Sequence, residues 1–290
     1  VKRIAAIGCV ILAVAIAPVT RAQYTADFQT NIISGVTSNW VGDYYVGYTN
    51  FADVLLIQNS GVLSNSQGIL ETSSNSVVVT GTGSVWSSSV GLMIGVAGSG
   101  NSMVVKDGGR VTSSWPSVGY QGGKNAVLVT DSGSVWSNAG TLTLGWYEPG
   151  GNSLVISNGG QVFSTAAIMG LYGGSNNSVL VTGSGSVWSN SGTLEVGHYG
   201  PLNKVAITDG GKVFTKYGVV GGNSESNSAS VSGFGSIWVN SGTLAVADSY
   251  LVITNGGQVL CGDGYLAAFP PNNVFNLYVV SDFRTSRNSE

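Results

Sequence analysis

The chain has 290 residues, 44 of them Gly; 9% of its residues are charged, 43% are hydrophobic, and its formal net charge is −3. So little charge, with enough apolar residues for a core, excludes a disordered chain and describes an all-β repeat protein. An acidic chain without a basic stripe also speaks against nucleic acid as a partner, because phosphate binding needs clustered Lys and Arg.

Residues 1–22 read as a signal peptide. Lys2 and Arg3 form the charged start, Ile4 to Pro18 is apolar, and Thr20-Arg21-Ala22 offers small residues for cleavage before Gln23. The apolar run is too short to cross a bilayer comfortably, so no membrane span is expected in the mature chain. Cys9 leaves with the leader. Cys261 then has no partner for an intramolecular disulfide and is expected to be a small buried residue. Residues 23–50 carry a worn repeat, Ser38-Asn39-Trp40 and Val46-Gly47, and are expected to form an N-terminal cap or a degenerate coil.

From 51 to 267 the chain repeats. Ser-Val-Trp occurs at Ser84-Val85-Trp86, Ser134-Val135-Trp136 and Ser186-Val187-Trp188, then as Ser236-Ile237-Trp238, at spacings of 50, 52 and 50 residues. Between them lie Asp107-Gly108-Gly109, Asn158-Gly159-Gly160, Asp209-Gly210-Gly211 and Asn255-Gly256-Gly257. Each unit therefore has two similar halves of roughly 25 residues: a β-branched strand, a Gly turn, a second strand, a polar turn and a third strand closed by Gly. Strands this short need partners on both edges. Stacking like on like gives parallel sheets around a continuous core. The expected fold is an all-β, right-handed parallel β-helix of about nine coils, roughly 43 Å long at about 4.8 Å per coil. A propeller is the second choice, since it needs antiparallel blades joined by hairpins. Residues 268–290 read as a C-terminal cap and polar tail, with room for one last strand between Asn272 and Val280.

The first strand has a clear parity: Val205 and Ile207 point inward, with Leu154 and Ile156 in the same slots, and the third strand buries Leu142, Leu144, Leu194 and Val196. Asn101, Asn152, Asn177 and Asn227 precede first strands and are expected to stack at a corner. The second strand leaves two readings open. If Val85, Val111, Val135 and Val162 share the inner face, Trp86 and Trp136 form an outer stripe with Phe163 and Phe214. If the longer turn before Ser-Val-Trp shifts the register, the four Trp rings fill the core. Tyr48, Tyr120, Tyr147, Tyr172 and Tyr199 follow the closing Gly of their coils. Of these, Tyr120, Tyr147, Tyr172 and Tyr199 are the candidate glycan contacts, against the plainer reading of turn packing.

No catalytic, cofactor-binding or metal site stands out. Sugar-cleaving acid–base pairs sit roughly 5–10 Å apart. Asp107 and Asp209, the acids with Lys106, Arg110, Lys204 and Lys212 nearby in sequence, occupy equivalent turns four coils apart, roughly 19 Å. Asn158 and Asn255 fill the same position, which suits interchangeable turn formers. His198 is the only histidine and lies beside Glu195. One His without further ligands is a weak metal site. Neither a calcium-binding Gly-Gly-x-Gly-x-Asp repeat nor a phosphate loop is present.

The run Val-Thr-Gly-Ser-Gly-Ser-Val-Trp ending at Trp188, the run Gly192-Thr193-Leu194-Glu195-Val196-Gly197, and Leu154 to Gly160 resemble the repeat of type V secretion (autotransporter) passengers and PEP-CTERM-associated surface proteins. Similar runs cover most of Ser76 to Val259. The resemblance implies an exported, surface-associated β-helix of a Gram-negative-type bacterium, generally without known catalysis, and transfers no functional residues. No membrane β-barrel and no Pro-Glu-Pro motif with a hydrophobic helix follows the repeats, so either free secretion or an incomplete sequence is expected. The expected function is a non-enzymatic structural or adhesin-like passenger whose partners are surface glycans or other cell-surface proteins. The alternative is a polysaccharide-binding or polysaccharide-degrading β-helix.

Overall fold

Only short extended segments separate the Gly-containing turns, and they form three strands per coil. In the computed structural model, which describes residues 28–265 and the strands Asn276–Val279 and Phe283–Thr285, one coil contains Ser153–Ser157, Gln161–Ser164 and Ala166–Met169. The next contains Ser178–Thr182, Val187–Asn190 and Thr193–Val196. Each of these strands pairs in parallel with its equivalent in the neighbouring coil. First strands form one sheet of eleven, and second and third strands together form the other. The described residues contain no helix, and the molecule is a parallel β-helix, not a propeller.

Nine coils run from the one opening with Val54–Gln58 to the one opening with Tyr250–Thr254. Before them, Thr30–Ser34, Thr37–Asn39 and Tyr44–Val46 stack as a further coil. After them, Asn276–Val279 pairs with Tyr250–Thr254, and Phe283–Thr285 pairs with Gln258–Tyr265. The expected leader, 1–22, lies outside the described residues, as does most of 268–290.

The register settles where the repeated Trp row points. Trp136 pairs with Val111 and Val162, and Trp188 with Val162 and Val213. Trp86, Trp136, Trp188 and Trp238 are all fully buried. The outer-stripe reading is corrected by one residue of turn. Gly183-Ser184-Gly185-Ser186 is longer by one than Asn158-Gly159-Gly160, so Val187 faces Gln161 and the Trp takes the inward slot. The extra residue is the Ser of Ser-Val-Trp. Ser186 Oγ accepts the Gly159 N–H at 3.1 Å and donates to the Thr182 carbonyl at 2.7 Å. Ser134 and Ser236 accept Gly108 and Gly210 in the same way. Gly160 closes the shorter turn because an added Cβ would lie 2.3 Å from the Val129 carbonyl oxygen.

The repeat spans two coils because the core is filled two coils at a time. Coils with Trp carry Leu at the first inward slot of the third strand: Leu92, Leu142, Leu194 and Leu244. Their register partners in the Val or Leu63 coils are Gly68, Pro116, Ala167 and Gly218. A Cβ on Gly68 would come within 2.4 Å of Trp86 Cζ2, and one on Gly218 within 2.9 Å of Trp238 Cζ2 and 2.7 Å of Leu244 Cδ1. Each of these two indoles occupies the volume that a larger side chain would need in the preceding coil. Alternating large and small layers keep the interior close-packed at a constant coil spacing.

The corner before the first strand is held by a ladder of buried Asn. Asn101 Oδ1 accepts the Asn75 N–H, and Asn125, Asn152, Asn177, Asn203 and Asn227 repeat the bond at 2.9 to 3.1 Å. Asn101, Asn125, Asn152 and Asn177 also donate their own Nδ2–H to the next Oδ1. The four Asn expected to stack do so, in a longer row that ends on Asp53 and Ser249. Cys261 is buried at the far end of the core.

Candidate functional site

The site is on the outer side of the third strands. Strand alternation turns Met93, Ser117, Thr143 and Ile168 outward, and parallel pairing sets them in one column along the rod. Glu195 follows Ile168 in that column. Beside it, at the bend between second and third strands, Gln67, Gly91 and Trp115 align. On the other side the ladder continues past the strand ends. Tyr120 N–H donates to the Gly95 carbonyl, Trp146 to Gly119 and Leu171 to Gly145, which places Tyr120, Trp146 and Leu171 in one row. These columns enclose a groove of about 490 Å³, within the range of about 300–1,000 Å³ usual for small-molecule sites.

Its walls are aromatic. Tyr120 and Trp146 line the groove, 5.4 Å apart between ring centroids; Tyr147, 5.5 Å from Tyr120, and Tyr172, 5.6 Å from Tyr147 and 6.0 Å from Trp146, pack against these rings outside the lining. Trp115 forms the opposite wall and is 64% exposed. Its ring lies over Gly140, where a Cβ would stand 3.0 Å from Trp115 Cε3. Two polar atoms of lining residues, Ser117 Oγ and Trp146 Nε1, are buried and have no hydrogen-bond partner. None of the lining residues is charged.

Of the four tyrosines singled out by their place after the closing Gly, the structure brings the rings of Tyr120, Tyr147 and Tyr172 near one another, and only Tyr120 lines the groove. Tyr199 stands apart, edge-on to His198 at 4.4 Å, beside a separate depression of about 690 Å³ lined by Asn223, Glu225 and Asp248 among others. Tyr48 packs against Tyr45 in the first coil. The repeat pattern does not single out Trp115 and Trp146, which complete the groove. For Trp146 a signal exists, because it follows Gly145 as Tyr120 follows Gly119. Trp115 has none beyond standing where the neighbouring coil has Gly91.

The ionisable groups lie elsewhere. Asp107 and Asp209 sit in turns with φ of 53°, and their Oδ2 atoms accept from Thr80 and Thr182 at 2.9 and 3.0 Å, bonds that tie each turn to the coil before it. Lys106 approaches Asp107 at 3.6 Å on the exposed surface. Arg110, Lys204 and Lys212 are exposed at strand starts. His198 Nδ1 lies 2.7 Å from Glu195 Oε1, and both side chains are partly buried. Among the described residues no three His, Cys, Asp or Glu converge in a way that could hold a metal ion. Glu71 heads the row that continues through Val96 to Tyr120; burial pushes its carboxyl above the usual carboxylate range.

Fold and groove together define a parallel β-helix with an uncharged aromatic groove on one face. Against models of known families, curated proteins and solved structures, the chain has no match.

Proposed function

We propose that this protein is an exported, non-enzymatic, adhesin-like β-helix of a bacterial surface that holds glycans on its third-strand face. The observation that carries the reading is the pair of rings at Tyr120 and Trp146, backed by Tyr147 and Tyr172, with Trp115 lining the same open groove. Aromatic faces bind the C–H faces of pyranose rings, and a rigid scaffold pre-organises them at little entropic cost. The same set accounts poorly for hydrolysis or elimination. The acids of the turns serve backbone geometry, and the groove lining offers no acid–base pair. The repeat resemblance to autotransporter and PEP-CTERM-associated passengers supports the surface location.

The test is a glycan array probed with the mature protein and with a Trp115→Ala/Trp146→Ala variant of unchanged circular dichroism. The reading expects saturable binding to a defined set of glycans, lost in the variant, with no shortening of the bound polymers. Release of unsaturated or reducing sugar ends by the pure protein would overturn it.

A further inference from the structure

The groove has a direction, a length and a charge, and these select among glycans. We infer that it takes a neutral, unbranched chain of hexopyranose units lying along the rod axis, with about one sugar ring per coil. This rests on the glycan-binding reading above and deepens it.

The direction comes from the floor. Met93, Ser117, Thr143 and Ile168 belong to four successive coils and follow one another by strand pairing, so the floor runs parallel to the rod. Three steps of roughly 4.8 Å give a trough of about 14 Å, long enough for roughly three or four rings of an extended chain. Such a chain advances per ring by about the same distance as the helix per coil. The wall keeps that step: the aromatic Tyr120 and Trp146 and the aliphatic Leu171 come from three successive coils, one apolar side chain per coil. A ligand with one ring per coil therefore meets the same kind of contact at each ring, whereas a chain crossing the rod meets it once.

The charge comes from what lines the trough and what closes it. None of the lining residues carries a charge. The next floor position after Ile168 is Glu195, and in the other direction the Tyr120 row runs through Val96 to Glu71. A polyuronate would enter without a cation among the lining residues to pair with, and a carboxylate stands beyond each end of the lining. Placing such charges unpaired against apolar rings is unfavourable. A neutral chain suffers neither cost.

The polar content distinguishes a sugar from an aliphatic occupant. Ser117 Oγ and Trp146 Nε1 are both shielded and have no hydrogen-bond partner in the protein. A buried donor or acceptor left unsatisfied is costly, and a ligand hydroxyl that reaches it as the rings shift removes that cost. Gln67 and Thr141 at the border offer further polar groups. An acyl chain would satisfy none of them.

The experiment is calorimetric titration of the mature protein with two ladders of one to six rings. One ladder comprises neutral oligomers of glucose, mannose, galactose and N-acetylglucosamine; the other comprises uronic-acid oligomers of the same lengths. A third titration uses dodecanoate. At least one neutral series should gain about tenfold or more in affinity from one ring to three or four and then level off. Every uronate should bind at least tenfold more weakly. Trp146→Phe, which keeps a ring and removes the indole donor, should weaken the best neutral ligand about five- to tenfold, the size of one lost hydrogen bond. Uronates that bind as well as neutral chains, or affinity that does not change with length, would overturn the inference and leave glycan binding intact. Occupation by dodecanoate with no sugar bound at all would overturn both.

Discussion

The two sets of tryptophans behave as opposites. Trp86, Trp136, Trp188 and Trp238 recur in one slot of every second coil and are sealed in the core. Trp115 and Trp146 each occur once, in slots that other coils fill with Gly91 or Leu171, and they border an open groove. In a stacked repeat, a residue that returns at every turn is answering a packing requirement that returns at every turn. A residue that breaks the pattern has no such reason, and in this chain the breaks gather on one face. Repetition marks the scaffold, and its interruption marks the candidate site.

The contrast is sharpest in stability. Trp136→Ala or Trp188→Ala should cost about 3–5 kcal/mol, because the lost transfer energy and the cavity add. Trp115→Ala should stay within about half a kcal/mol. Denaturant midpoints of the three variants decide this, and equal losses would erase the distinction.

The alternation of layers predicts the next largest effect. Gly218→Ala drives a Cβ against Asn240, Leu244 and Trp238 and should cost about 1–3 kcal/mol by overpacking. Trp238→Phe in the same chain should recover part of that loss. A double variant whose loss equals the sum of the single ones would mean that the indole does not need the glycine.

The Asn corner should yield a similar loss by another route. Asn152→Ala removes the acceptor of two hydrogen bonds from Asn125, leaving buried donors unpaired at a cost of about 1–3 kcal/mol. Asp209→Asn, by contrast, keeps a turn former and should change stability by less than about half a kcal/mol. The smallest effect concerns Glu71. Its carboxyl is raised by burial, so the stability it contributes is present at low pH, when it is protonated, and is lost as pH rises through its raised value. Glu71→Gln should therefore melt slightly higher than the parent at pH 7 and alike at low pH. A variant that melts lower at pH 7 would contradict the sign.

Much of the scaffold is legible in the sequence, because each coil writes the same demands again. Ser178 to Val196 and Ser153 to Met169 show three strands each, and Val205, Ile207, Leu154 and Ile156 declare their inner face by alternation. The Trp slot is ambiguous in the sequence because the two halves of the repeat have turns that differ by one residue, and one residue reverses every side chain of a strand. The groove is only partly visible there. Tyr120 directly follows its closing Gly and lines the groove, but Tyr147, Tyr172 and Tyr199 stand one residue further on and do not line it. Trp115 reaches the groove from a bend, and beside Ser117 and Tyr120 of its own coil its partners there, such as Gly91, Thr141 and Trp146, come from neighbouring coils, a proximity that stacking creates and local pattern does not record.

The most direct measurement follows the indole N–H resonances of the labelled protein while the best neutral tetrasaccharide is added. The signals of Trp115 and Trp146 should move and saturate together, while those of Trp86, Trp136, Trp188 and Trp238 stay in place and exchange slowly with solvent. Movement confined to the four repeated tryptophans, with Trp115 and Trp146 unmoved at saturation, would contradict the division between scaffold and site.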